Sequence, residues 1–105
     1  MDFLGDLAEE VLEAEEQGDK MYEIYTANSK TEKRLSNYIS MRGDIKNKID
    51  RLKFEPRKAN GAHPLHGKLS EKWACWLGAN IRVIYIINDK DRIITIIAVG
   101  SHKIY

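Results

Sequence analysis

The chain has 105 residues, of which 43% are apolar and 31% charged, and its formal net charge is +1. This length and composition predict a single folded domain and argue against a disordered or low-complexity chain. Its one cysteine, Cys75, excludes an internal disulfide, which fits a reducing compartment such as the cytoplasm. No apolar run approaches the ~20 residues that a membrane-spanning helix needs, so no membrane partner is expected.

The charge is distributed unevenly along the sequence. Residues 1–20 contain eight acidic residues and one basic residue, whereas residues 21–105 contain eight acidic and sixteen basic residues. Such asymmetry predicts an acidic segment followed by a body that faces nucleic acid, although two solvated surfaces would give the same counts.

The acidic segment has the pattern of an amphipathic helix. In DFLGDLAEEVLEAEEQGD, residues 2–19, apolar residues recur at helical spacing and the opposite face is acidic. Because a helix of this length is marginally stable alone, its apolar stripe has to dock on the body of the same chain or on another copy. The second arrangement would make the protein a homodimer.

A strand followed by two helices is predicted next. MYEIYT, residues 21–26, is typical of a strand. Ser29 and Glu32 form a capping-box pattern that predicts the start of the first helix. The pattern breaks at residues 42–44, and Pro56 is expected to end the second helix. We therefore expect a helical hairpin with its basic residues facing outward.

The remainder predicts a loop and three strands. EPRKANGAHPLHGK, residues 55–68, contains two prolines and two glycines and is typical of a loop. KWACWLG, NIRVIYII and RIITIIAVG then predict three strands, the last two joined by an NDKD turn at residues 88–91. The order β-α-α-β-β-β predicts an α+β fold in which an antiparallel sheet packs against the helical hairpin.

From Met21 to Tyr105 the sequence resembles the RelE/ParE superfamily of toxins from toxin–antitoxin pairs. The resemblance rests on this order of elements and on three motifs, HPLHGKLSEKW, IRVIY and VGSHKIY. The branch it resembles most consists of ribosome-dependent mRNA endonucleases. The resemblance implies a RelE-like domain over residues 21–105, a cytoplasmic location, and a cognate antitoxin, mRNA and the ribosome as partners. Residues 1–20 resemble the acidic end of an antitoxin or an upstream extension.

The resemblance also implies a reaction. mRNA is cut by its own 2′-hydroxyl, with no metal and no cofactor, which requires a base, an acid and fixed positive charge. His63 matches the position before Pro-Leu that carries a histidine or glutamate in the family, and we assign it as the general base. His102 matches the C-terminal histidine and is assigned as the general acid. The sequence alone does not decide which of the two histidines is the base and which is the acid. The alternative for each is a surface histidine without a catalytic role.

A lone arginine lies within an apolar strand pattern. Alternation predicts that Arg82 points to the same face as Ile84 and Ile86. It matches the family's strand arginine, and its planar fork suits a phosphate. The alternative is an ion pair with Asp89 or Glu71.

Other residues are candidates for binding RNA. Lys68 and Lys72 flank the first of the last three strands and are expected either to hold phosphates or to be solvated. Tyr105 resembles the family's terminal aromatic residue, which would stack on a base. Trp73 and Trp76 are three apart and so lie on opposite faces of a strand. Trp73 would line the RNA site with Trp76 in the core, unless both are core residues.

The remaining histidine and the cysteine have no assigned chemistry. His66 follows His63 by three residues, but a loop pair without a fourth ligand is a poor metal site, and no metal is predicted. Cys75 is expected to be buried and inert.

Two other functions are compatible with the sequence. One is a ParE-like toxin that inhibits a topoisomerase by contact without catalysis; that branch usually lacks the histidine pair. The other is a neutralised toxin–antitoxin fusion that acts as an interaction module, in which residues 1–20 cover the basic face.

Overall fold

The computed structural model describes residues 21–69, 71–78 and 80–101. The helix predicted for residues 2–19, together with His102 and Tyr105, lies outside these ranges. Within the described part of the chain, no helix is long and apolar enough to cross a bilayer.

Two helices and five strands form an α+β fold, as predicted. In chain order they are β1 (Glu23–Thr26), α1 (Ser29–Met41), α2 (Gly43–Leu52), β2 (His63–Pro64), β3 (Trp73–Gly78), β4 (Ile81–Asn88) and β5 (Ile93–Ser101). The strands make one sheet in the order β1-β5-β4-β3-β2.

The sheet differs from the expected one in two respects. Its β1 edge strand pairs in parallel with β5, so the sheet is mixed and not fully antiparallel. The region expected to be entirely loop contributes the short strand β2, which pairs with the start of β3. Local patterns identify strand-forming segments but not their partners, and a strand of two residues is too short to show any alternation.

The helix boundaries are set by local chemistry. The side chain of Asn28 accepts a hydrogen bond from the Thr31 N–H at 2.8 Å, so Asn28 caps α1 and Ser29, which was expected to do so, is already helical. A single extended residue, Arg42, separates the two helices, which contact each other. Helix α2 ends at Leu52, four residues before Pro56.

Both helices cover the same face of the sheet. Helix α2 buries three residues there, namely Ile45, Ile49 and Leu52. They join one core with strand residues that include Cys75, Leu77, Val83, Tyr85, Ile94 and Ile96. Burial of this apolar surface is the main stabilising contribution to the fold.

Two bulges interrupt the sheet. In the β3–β4 pair the register shifts between Trp76 and Gly78, which leaves Leu77 as the extra residue. In the β4–β5 pair Ile84 is opposite Ala98 and Tyr85 is opposite Ile96, so Ile97 is the extra residue. A bulge changes which residues share a face on either side of it.

Candidate functional site

Arg82 lies on the sheet face that the helices do not cover. Its neighbour Val83 and, two residues further on, Tyr85 point to the opposite face, where both are fully buried in the helix-covered core. Arg82 pairs across the sheet with Trp76 on β3 and Gly100 on β5. Residues that are directly opposite in antiparallel strands share a face, so these three residues form one row. The orientation predicted from alternation is confirmed.

The guanidinium of Arg82 is stacked on an indole. Its Cζ lies 4.1 Å from the centroid of the Trp76 ring. A cation over the face of a tryptophan is attracted by about 0.5–2 kcal/mol, depending on its desolvation. Gly100 on the other side of Arg82 has no side chain that would compete for the space. The arginine therefore rests on a flat aromatic support in the middle of the sheet.

A glycine packs against the same indole. Gly61 precedes β2 and has a φ of +71°, and a Cβ added there would lie 3.3 Å from Cδ1 of Trp76. A side chain at this position would therefore press on the ring and would also be strained by the left-handed backbone. The backbone at Gly61 and the guanidinium of Arg82 thus both contact Trp76.

His63 lies on the same face as Arg82, one row further along the sheet. It pairs with Ala74, which in turn pairs with Ile84 on the face of Arg82. From standard strand spacing, the backbones of His63 and Arg82 are on the order of 12 Å apart. Their side chains extend from the same surface.

The imidazole of His63 is held by the Gly61 carbonyl. The Nδ1 atom lies 3.0 Å from that oxygen. A carbonyl oxygen only accepts hydrogen bonds, so Nδ1 carries the proton and donates it. In the neutral ring, Nε2 then has the lone pair and is able to accept a proton. This arrangement suits a general base.

Solved structures similar to this chain include toxins of toxin–antitoxin systems. A YoeB/ParE toxin from Agrobacterium tumefaciens superposes with a TM-score of 0.63 at 16% identity, over 76% of this chain and 98% of that one. The toxin–antitoxin complex RelBE2 from Mycobacterium tuberculosis gives 0.62 at 17% identity, over 77% and 98%. The archaeal RelE–RelB complex from Pyrococcus horikoshii gives 0.57 at 24% identity, over 81% and 99%.

The chain has the RelE/ParE toxin fold. The resemblance seen in the sequence is thereby confirmed at the level of the fold. No family model matches the sequence, and no curated protein matches it either. What this RelE-like domain does therefore has to be argued from its own residues.

The two candidate lysines lie in the loop between β2 and β3. Lys68 is exposed and Lys72 is half-buried. The Leu65 N–H donates to the Lys72 carbonyl at 2.9 Å, and the Lys72 N–H donates to the Leu69 carbonyl at 3.0 Å. The loop begins directly after β2, so it lies on the side of His63 that is away from Arg82.

The two tryptophans are placed the opposite way round from the expectation. Trp73 pairs with Tyr85, which is fully buried, and packs against the helix-covered core, with Cζ of Arg57 5.7 Å from its ring centroid. Trp76 is on the face of Arg82. Trp73 therefore lies on the face away from Arg82, and the expectation of Trp76 in the core was wrong, whereas RNA binding by Trp73 stays a prediction.

A β-bulge explains why Trp76, and not Trp73, lies on the face of Arg82. A two-residue turn at residues 79–80 without a bulge would pair Gly78 with Ile81 and Trp76 with Val83, which would put Trp76 in the core. The extra residue Leu77 shifts the register by one and exchanges the faces of the residues before it. The one signal in the sequence is Gly78, since glycine in a strand often marks a bulge. Its φ of +122° fits that interpretation.

The remaining candidates are placed as follows. Cys75 is fully buried, as predicted, and burial raises the pKa of its thiol to about 12, which disfavours the reactive thiolate. Asp89, one of the acids considered as a partner for Arg82, accepts two hydrogen bonds from Arg57 at 3.1 and 2.7 Å. His66 is exposed. Among the described residues, no three His, Cys, Asp or Glu side chains form a group that could hold a metal ion.

Proposed function

We propose that this RelE-like domain is the toxin of a toxin–antitoxin pair and that it cleaves ribosome-bound mRNA in the cytoplasm. The observation that carries the proposal is the sharing of one sheet face by His63, with its Nε2 free to accept a proton, and Arg82, supported by Trp76. The similar structures are toxins, two of them solved in complex with antitoxins, which supports a cognate antitoxin as partner.

The proposed reaction needs only groups of the protein and of the RNA. Nε2 of His63 takes the proton of a ribose 2′-hydroxyl, and the 2′-oxygen forms a bond to the adjacent phosphorus. The bond from phosphorus to the 5′-oxygen breaks, and that oxygen takes a proton from His102. The products are a 2′,3′-cyclic phosphate and a 5′-hydroxyl, so no water, oxidant or metal is consumed.

Arg82 supplies the positive charge. The phosphorane transition state carries an additional negative charge on its non-bridging oxygens, and a guanidinium fork donates to two such oxygens at once. Removal of one such donor typically lowers a rate about 10²–10³-fold. The neutral tautomer of His63 favours its role as base and leaves the role of acid to His102, which remains a prediction.

The RNA is proposed to run from Arg82 past His63 to the loop of Lys68 and Lys72. The loop lysines lie on the side of His63 that is away from Arg82, so they can hold a phosphate next to the one that is cut. Tyr105 remains the predicted stacking residue. Contacts of this ionic type weaken steeply with salt, so binding to ribosomes is expected to fall as salt rises.

The acidic segment, residues 1–20, is proposed to act as a cover for the basic domain, residues 21–105. Its seven excess negative charges complement the eight excess positive charges of the rest of the chain. The segment can act within one chain or between two copies, in which case it would support a homodimer. Deletion of residues 1–20 is expected to increase growth arrest; unchanged arrest would contradict this role.

Primer extension on mRNA with ribosomes present tests the function. The wild type is expected to produce discrete cuts, which His63→Ala and His102→Ala abolish. His66→Ala is a matched control, since it removes an exposed imidazole from the same loop and is expected to cut normally. Growth arrest without any cut in mRNA would instead favour the ParE-like, topoisomerase-inhibiting alternative.

A further inference from the structure

We infer that Trp76 is a positioning residue: its indole holds the Arg82 guanidinium in the orientation that receives the scissile phosphate. The inference rests on the proposed function and adds to it a residue that neither the sequence pattern nor the reaction scheme requires. It starts from the stack of the two side chains, with Cζ of Arg82 4.1 Å from the ring centroid.

A free arginine side chain would be a poor electrostatic catalyst. It has several rotatable bonds, and fixing them costs up to about 2 kcal/mol of conformational entropy. A donor that is already in place at the moment of reaction avoids this cost and stabilises the transition state more effectively. The stack on the Trp76 ring restricts the positions that the guanidinium can occupy.

Trp76 is itself held in place. Its Cδ1 edge lies next to Gly61, where a Cβ would be only 3.3 Å from the ring. The loop of Gly61 is fastened on both sides: the Asn60 side chain donates to the Lys48 carbonyl at 2.7 Å, and the Ala62 N–H donates to the Ala59 carbonyl at 3.0 Å. The support of Arg82 is therefore anchored to helix α2.

The same backbone segment also fixes the base. Gly61 accepts the hydrogen bond of His63 through its carbonyl oxygen, and a Cβ added at the same residue would lie 3.3 Å from Cδ1 of Trp76. One glycine thus connects His63 directly, and Arg82 through Trp76. This shared support sets the spacing between the base and the phosphate ligand.

The alternative role for Trp76 is direct stacking on an RNA base. The arginine occupies one face of the ring and Gly61 packs at its edge, which favours the positioning role. The two roles differ in a measurable way. A positioning residue acts only when Arg82 is present, whereas a stacking residue contributes whether or not Arg82 is present.

Single-turnover cleavage of ribosome-bound mRNA tests the inference in four variants: Trp76→Leu, Trp76→Phe, Arg82→Ala and the double variant Trp76→Leu/Arg82→Ala. Trp76→Leu is expected to lower the maximal rate about ten-fold, with the half-saturating concentration changed less than about two-fold. Trp76→Phe keeps an aromatic face and is expected to recover most of the rate. The double variant is expected to be no slower than Arg82→Ala.

Val83→Ala is the control for general destabilisation, because it removes buried volume from the same strand on the other face. Its rate is expected to equal that of the wild type when expressed per folded molecule. A normal rate in Trp76→Leu would overturn the inference, as would a further ten-fold loss in the double variant, which would identify direct stacking.

An NMR measurement separates this inference from the proposed function. The side-chain Nε–Hε signal of Arg82 is expected to show restricted motion and a ring-current shift in the wild type, and to lose both in Trp76→Leu. If the wild type cuts no mRNA, the proposed function fails, whatever the signal shows. An Arg82 signal that is equally ordered in Trp76→Leu would overturn the positioning role even if cleavage occurs.

Discussion

Two arginine–tryptophan pairs lie on opposite faces of the sheet. Arg57 is 5.7 Å from the ring centroid of Trp73 on the helix-covered side, and Arg82 is 4.1 Å from that of Trp76 on the other side. Arg57 also makes a two-point ion pair with Asp89, so its charge is neutralised within the fold. Arg82 lies over the Trp76 ring on the other face of the sheet. The same pair of residue types therefore serves stability in one place and, as proposed, catalysis in the other.

The Arg57 region connects separate parts of the chain. Asp89 in the β4–β5 turn accepts hydrogen bonds from Arg57 and from the Tyr22 hydroxyl, and Tyr22 precedes β1. The Arg57 bonds, followed by that of Tyr22, lower the pKa of Asp89 to about 2. The buried Tyr85 hydroxyl donates to the Pro56 carbonyl at 2.6 Å and holds the same loop. This cluster fastens β1, the loop after α2 and the turn to one another.

The largest expected effect separates the two arginines. Arg82→Ala is expected to lower single-turnover mRNA cleavage about 10²–10³-fold per folded molecule, because it removes a transition-state donor. Arg57→Ala is the matched control, since it also removes an arginine stacked on a tryptophan. It is expected to cut at the wild-type rate per folded molecule. Equal losses in both variants would break the distinction between the two pairs.

Two glycine substitutions test whether Gly61 holds the Trp76 ring in place. Gly61→Ala introduces a Cβ that presses on Trp76, whereas Gly67→Ala, with nearly the same φ, places its Cβ in open space. Both substitutions strain the backbone, so their difference reports the contact with the ring. We expect Gly61→Ala to cut about ten-fold more slowly than Gly67→Ala. Equal rates would show that Gly61 does not position Trp76.

The face on which Arg82 lies can be predicted from the sequence, whereas its partner across the sheet cannot. Alternation over β4 was enough to assign the face of Arg82, because two-residue periodicity is a local property. The partner of Arg82 depends on a bulge at Leu77, and the pairing of β1 with β5 depends on contacts between distant segments. His63 was chosen by resemblance alone. Its position in β2 and its bond to Gly61 depend on the pairing with β3, which no local pattern predicts.

A smaller effect is expected at the stability cluster. Asp89→Asn removes the ion pair with Arg57, whose two side chains are about half exposed to solvent. Solvent screening limits the loss in unfolding free energy to about 1 kcal/mol. Chemical denaturation measures this loss, and mRNA cleavage per folded molecule is expected to be unchanged. A specific loss of cleavage would place Asp89 in the active machinery and contradict the division of roles.

The smallest expected effect is a loss of stability as the pH falls. The folded-state pKa of Asp89 is about 2, below its ordinary 3.8. The carboxylate therefore stabilises the fold above the ordinary value, and this contribution is lost as the pH falls from about 4 to about 2. Thermal melts across this range are expected to show a steeper decline for the wild type than for Asp89→Asn. Equal declines in the melting temperatures of the two proteins would show that Asp89 does not cause the loss of stability at low pH.

The most direct test uses mRNA in which the nucleotide 5′ of the mapped cut carries 2′-deoxyribose. If His63 activates a 2′-hydroxyl on the face of Arg82, this message is not cut at that position, and the unmodified message yields ends with a 2′,3′-cyclic phosphate. Cleavage of the 2′-deoxy message at the same position, or the absence of a cyclic phosphate, would contradict the mechanism.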